Sequence, residues 1–242
     1  MFSSTTRSVA AVAGLAMATA SLAACAPSSS AHGLSVVATT TQICDYVTQI
    51  AARSADISLD KTDAAGQSTH VGAAADGAAL TMSLTCLLAP NASAHEHEMT
   101  PAQTSALAQA DVMAVSGVDL EHFLDDAVVS SGFKGRMVVT SGVLTAADVD
   151  NPGAPDPEGA YTIDRGNERV DVAPWPFPPE EAGEEPEFRF DPHVWTSPKG
   201  ARIQVANLGA GLAAAAPDAA SSINAATASY LEDIDALDEW TA

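Results

Sequence analysis

Positive charge is the scarcest property of this sequence. Lys61, Lys134 and Lys199 are its only lysines, and Lys and Arg together number 10 against 31 Asp and Glu, for a formal charge of −21. Such a chain lacks the clustered cations that phosphate contacts require, which excludes nucleic-acid binding. Adhesion to an anionic membrane surface through its own charge is disfavoured for the same reason. Aromatic residues are scarce too, at 5%. The 47% hydrophobic share includes 50 Ala, so side chains large enough to fill a core are few. No apolar run reaches the roughly 20 residues needed to span a bilayer. At 242 residues the length is that of one or two domains.

What the N-terminus does carry is an export signal. Arg7 supplies a short positive region and Val9–Leu22 an apolar stretch, the pattern of a secretory signal peptide over residues 1–24. It ends in Leu22-Ala23-Ala24-Cys25, which resembles the bacterial lipobox, where cleavage precedes a diacylglycerol-modified Cys. Cys25 is then the expected lipidation site, and residues 25–33 a tether between the lipid and the fold. An ordinary cleaved signal with Cys25 as an incidental thiol is the alternative. The expected location is outside the cell, anchored to its membrane. Two further cysteines remain, Cys44 and Cys86. An extracytoplasmic pair usually oxidises, so a Cys44–Cys86 disulfide is expected, ahead of two buried thiols or a metal site.

The rest of the chain alternates strand and helix patterns. Leu34–Ala38, Leu80–Leu88, Asp111–Ser116 and Arg136–Thr140 are short apolar, β-branched runs that read as strands. Helices are expected over Gln42–Ala55, from the Thr100-Pro101-Ala102-Gln103 capping signature, over Leu120–Ser131 and from Ser197-Pro198. The order predicts an α/β fold, a parallel sheet with flanking helices on both faces. Residues 56–79 are polar and Gly-rich and are expected as a surface insertion, with a hairpin as one form. Residues 145–190 are Pro-rich and hold Glu180, Glu181, Glu184, Glu185 and Glu187, which predicts a mobile acidic loop. A last helix starts at Pro217, with Ile223, Thr227, Tyr230, Ile234, Leu237 and Thr241 along one stripe.

Ligands of open parallel sheets bind beyond the carboxyl ends of the strands. His95 falls at such an end, and His193 can reach the same edge. The segment Leu87-Leu88-Ala89-Pro90-Asn91-Ala92-Ser93-Ala94-His95-Glu96-His97-Glu98-Met99-Thr100-Pro101 resembles the first ligand loop of the zinc/manganese-type substrate-binding lipoproteins of ABC transporters. Ser105–Asp111 and Gly117-Val118-Asp119-Leu120-Glu121 continue it, and Asp191-Pro192-His193-Val194-Trp195 resembles the second, more specific ligand motif. The resemblance implies His95 and His193 as metal ligands from an N-terminal lobe. It departs from the family pattern at Ser93-Ala94, where Asp-Pro is usual, at His97, where an aromatic is usual, and at Thr196-Ser197, where Leu-Asp is usual.

The resemblance also implies two lobes joined by one long helix, with further ligands from the second lobe. Residues 34–216 would be the metal-binding lobe, with insertions at 56–79 and 145–190, and 217–242 the start of the inter-lobe helix. Zinc wants about four ligands, of which this stretch supplies two. His97 and Glu98 are possible auxiliary ligands, although a solvent-facing polar loop is the simpler reading. His122 falls on the predicted helix 120–131 and is read as exposed. His70 lies in the first insertion and His32 in the tether.

The function implied is capture of a divalent metal, zinc most of all with Mn²⁺ as the other possibility, and its hand-over to an ABC permease in the membrane. No reaction would be catalysed. A metal-buffering or adhesive surface lipoprotein is one rival. A zinc hydrolase using His95, His97 and His193 is the other, and no motif places a general base for it.

Overall fold

The computed structural model describes Met1 and residues 33–242 apart from 154, 157, 158 and 180–183. The signal peptide after Met1, Cys25, all but the end of the tether, and Glu180 and Glu181 lie outside the described residues. Seven strands form one sheet: β1 (Leu34–Ala38), β2 (Ile57–Thr62), β3 (Ser68–Gly72), β4 (Leu80–Cys86), β5 (Val112–Val115), β6 (Arg136–Val139) and β7 (Thr162–Asp164). Their order is β3-β2-β4-β1-β5-β6-β7, and every pairing is parallel except β2 with β3. Among the described residues six α-helices accompany them: α1 (Thr41–Ala52), α2 (Pro101–Ala108), α3 (Leu124–Ser131), α4 (Ala146–Asp150), α5 (Pro198–Ala215) and α6 (Ala220–Thr241).

The two faces follow from strand alternation. Val36, Val112, Ala114 and Val138 point to one face, where they pack with Ile43, Val47 and Ile50 of α1, Val205 and Leu208 of α5 and Ile223 of α6. Val37, Met113, Val115, Met137 and Val139 point to the other, against Leu107 of α2 and Ala127 of α3. Both core layers are thus built from central strands of near-continuous apolar sequence, as a doubly covered parallel sheet requires. Caps set the helix starts. Thr40 accepts from the Ile43 backbone N at 3.2 Å, Thr100 and Gln103 close a reciprocal capping box before Pro101, and Ser197 accepts from the Gly200 N at 3.0 Å. The structure joins Cys44 in α1 to Cys86 at the end of β4, with a Cα–Cα distance of 5.6 Å.

Three expectations need correction. Residues 56–79 do form a hairpin, but β2 lies inside the sheet, between β3 and β4, with Ile57, Ser58 and Leu59 buried. Only the β3 side is a surface feature. The 145–190 stretch is not a free loop, because α4, β7 and the buried Val170 and Phe188 tie it to the lobe. The helix expected from Leu120 starts four residues later, at Leu124. A left-handed turn precedes this segment. Gly117, Val118 and Asp119 all take left-handed φ values, of 86°, 58° and 56°, which no α-helix accommodates. At Gly117 a Cβ would collide with the Val143 carbonyl, so glycine is required there.

The final helix keeps the expected stripe against the core as far as Ile234. Ile223, Thr227 and Ile234 are buried, whereas Leu237 and Trp240 are exposed. Among the described residues no helix is long and apolar enough to cross a membrane.

Candidate metal centre

β1 lies between β4 and β5, and its connection runs to α1 on one face while those of β4 and β5 run to α2 and α3 on the other. The sheet therefore opens at the carboxyl ends of these strands, the place where doubly wound folds bind ligands. Residues 87–100 leave β4 there. Gln103 Nε2 donates to the Leu87 carbonyl at 2.8 Å, and the Thr100 box fixes the other end. Within the loop the Ser93 hydroxyl accepts from the His95 backbone N at 3.2 Å.

His193 arrives from the far side of the sheet, after β7 and the excursion that follows it. Asp191 Oδ1 accepts from the His193 backbone N at 3.0 Å and lies 2.8 Å from its Nδ1. A carboxylate at that distance holds the ring proton on Nδ1 and leaves the Nε2 lone pair free to bind a cation. Trp175 stacks on the ring at 5.9 Å and 25°, and Trp195 lies 5.3 Å from it.

The two expected ligands meet. The rings of His95 and His193 lie 5.7 Å apart between centroids, at 72°. Two imidazoles on one tetrahedral zinc, with metal–nitrogen bonds of about 2 Å, hold their centroids about 5 Å apart. The pair is thus within a small adjustment of sharing an ion. His95 Nδ1 is buried without a hydrogen-bond partner, uncommon for a buried nitrogen and consistent with a side chain kept for ligation. Burial pushes the His95 imidazole below its ordinary pKa; Glu187 opposes the shift, and His193 and His122 add to it. The neutral form is the one a metal needs. Among the described residues no group of three or more His, Cys, Asp or Glu side chains is placed to hold a metal ion.

His97 and Glu98 do not join this pair. His97 turns edge-on to Phe123, with centroids 5.0 Å apart, and its Nε2 is buried without a partner. Burial lowers its pKa, with a Gln103 hydrogen bond opposing. Glu98 is exposed on the same loop. Both line a cleft of about 840 Å³ that also touches His95, His122 and Asp126. His122, expected on a helix and exposed, is exposed but lies at the edge of the site. It lies in the turn before α3, with its ring 6.0 Å from His95 and 5.2 Å from Phe188, which in turn lies 4.8 Å from His95. The sequence holds a signal for this, since a glycine at position 117, just after β5, marks a tight turn before Glu121 and His122. Phe188 and Trp175 are hidden in a stretch whose Pro and Glu content reads as unstructured.

The chain resembles known metal-binding proteins in both fold and sequence. Among solved structures, Zn(II)-bound AdcA from Streptococcus pneumoniae matches with a TM-score of 0.53 and 18% identity over 86% of this chain and 32% of that one. The metal-dependent lipoprotein YcdH from Bacillus subtilis matches with a TM-score of 0.51 and 18% identity over 86% of this chain and 54% of that one. The Zn(II)-bound ZnuA-like domain of the Streptococcus pneumoniae AdcA gives 0.51 and 16% over the same shares. This chain therefore spans about a third to a half of the length of these neighbours, and at such identities the likeness establishes the fold. The sequence match is independent of it. Residues 73–242 match the family model described as zinc-uptake complex component A, periplasmic, so the chain belongs to that family.

Proposed function

We propose that this protein captures a divalent metal ion outside the cell and delivers it to an ABC permease, acting as a binding component and not as an enzyme. The observation that carries the reading is the meeting of His95 and His193, 98 positions apart in sequence, at the carboxyl edge of the sheet with ring centroids 5.7 Å apart. In this reading residues 34–216 are the metal-binding lobe and 217–242 begin the helix that leads out of it. Cys25 carries the lipid that keeps the protein at the membrane, after removal of 1–24. Zinc is the preferred cargo. Imidazole donors suit zinc, whereas manganese favours oxygen-rich sites, and neither His97 nor Glu98 adds a ligand at the pair. Two neighbours of the same fold are described as Zn(II)-bound, which supports the same choice.

Calorimetric titration of zinc into the mature chain tests this. His95→Ala and His193→Ala are each expected to abolish most of the binding signal. If both variants titrate like the wild type, the ion binds elsewhere and the reading fails.

A further inference from the structure

The lobe offers a third imidazole. We propose that His122 is a direct ligand of the ion held by His95 and His193, giving this chain three nitrogen donors and a preference for zinc over manganese. The inference rests on the site proposed above and adds a residue to it. Two observations carry it.

The first is placement. His95 is the common neighbour, 5.7 Å from His193 and 6.0 Å from His122 between ring centroids. Both separations are within about an ångström of the roughly 5 Å set by two imidazoles on one tetrahedral ion. His95 and His122 also share a support, since the Phe188 ring packs at 4.8 Å from one and 5.2 Å from the other and is itself only 4% exposed. His122 is accessible enough to turn about its side-chain bonds, yet one side of its ring is already held.

The second is the backbone that presents it. Val118 and Asp119 are consecutive non-glycine residues in the left-handed region, a costly arrangement above all for a β-branched side chain. The surroundings enforce it. The Val118 and Asp119 N–H groups donate to the carbonyls of Val143 and Leu144 at 2.8 and 3.1 Å, and Asp119 Oδ2 accepts from the Ala146 N at 2.7 Å. Glu121, immediately before His122, is fully enclosed. Its Oε1 accepts from the Thr39 hydroxyl and the Ser116 N, both at 2.6 Å, and its Oε2 from the Gly117 N at 3.0 Å. The segment leading to His122 is thus pinned to the ends of β1 and β5 and to the loop after β6 before any ligand arrives. A donor mounted on so fixed a backbone loses little freedom on binding.

The consequence is one of donor chemistry. A third nitrogen moves the site further from the carboxylate- and carbonyl-rich set that manganese prefers and toward the three-histidine pattern that zinc accepts with one position left open.

The test uses the mature chain and two metals. Zinc and manganese affinities of the wild type, His122→Ala, His122→Gln, His95→Ala and His193→Ala are measured by competition with a chromogenic chelator. The visible absorption of bound Co²⁺ is recorded for each as a readout of its nitrogen donors. Removing His122 is expected to lower zinc affinity by at least the roughly 10- to 100-fold that loss of a supporting partner costs, while manganese affinity changes far less. The Co²⁺ band should weaken in parallel. Melting of the metal-free variants should match the wild type, because His122 is exposed; if His122→Ala melts lower, His122→Gln decides. Wild-type zinc affinity and an unchanged Co²⁺ band in the His122 variants, with binding lost in His95→Ala and His193→Ala, would overturn this inference and leave the two-histidine site standing. Wild-type binding in the His95 and His193 variants would overturn both.

Discussion

Asp191 and Glu121 are acidic residues placed to opposite ends. Asp191 is partly exposed and spends its charge on one ring, bonding the His193 Nδ1 and backbone N. A carboxylate so placed fixes the tautomer and orientation of the imidazole. Asp191→Ala is therefore expected to weaken zinc binding by roughly 10- to 100-fold without loss of fold, as measured by chelator competition. An unchanged affinity would mean that His193 needs no orienting partner. Glu121 is enclosed instead. Burial raises its carboxyl above the ordinary 4.5, and the bonds from Thr39, Ser116 and Gly117 pull it back. Between that ordinary value and the raised one, the native protein keeps a proton that the unfolded chain has released. This group's contribution to stability therefore falls as pH rises through that window. Glu121→Ala leaves two buried N–H groups unpaired and should cost about 1–3 kcal/mol in urea unfolding at neutral pH. The same variant should lose the acid-side slope that Glu121 contributes.

Elements whose stability comes from their own side chains are legible in the sequence. β1, β4, β5 and β6 are apolar runs, and α2 and α5 open with complete capping signals, so local pattern alone marks both kinds. β2 is not marked this way. Its sequence, Ile-Ser-Leu-Asp-Lys-Thr, turns polar halfway, and only pairing with β4 and β3 on either side makes it a strand. β7 is three residues held by β6, and no local pattern identifies it. The site divides the same way. His95 and His193 sit in contiguous motifs, whereas the approach of His122 depends on a left-handed turn and on Phe188, 66 positions further along. At this scale the Cys44–Cys86 link ties α1 to β4 across 42 positions. The chain-entropy model gives such a loop roughly 3–4 kcal/mol. The Cys44→Ser/Cys86→Ser double variant is expected to lose about that much in urea unfolding. Thiol titration of the denatured, unreduced mature protein should find neither sulfur reactive; two reactive thiols would refute the bridge.

Taken whole, the molecule is an anion, and the proposed metal site at the sheet edge is set among acidic residues. Glu96, Glu98 and Asp126 line the cleft beside His95, and the chain carries a formal charge of −21. Such a field draws divalent ions toward the sheet edge and is screened by salt. The zinc association rate should therefore fall as ionic strength rises, while the dissociation rate changes little, in stopped-flow measurements. A rate indifferent to salt would assign capture to the histidines alone. The distribution of indoles across the molecule has a practical outcome. Of three Trp, Trp240 stands in solvent near the end of α6, 83% exposed, whereas Trp175 and Trp195 both lie within 6 Å of the His193 ring. An imidazole whose charge distribution changes on ligation alters the emission of an indole stacked on it. In a Trp240→Phe protein all tryptophan fluorescence then originates beside one candidate ligand, so the protein is its own optical gauge of whether that histidine is occupied, with no label attached.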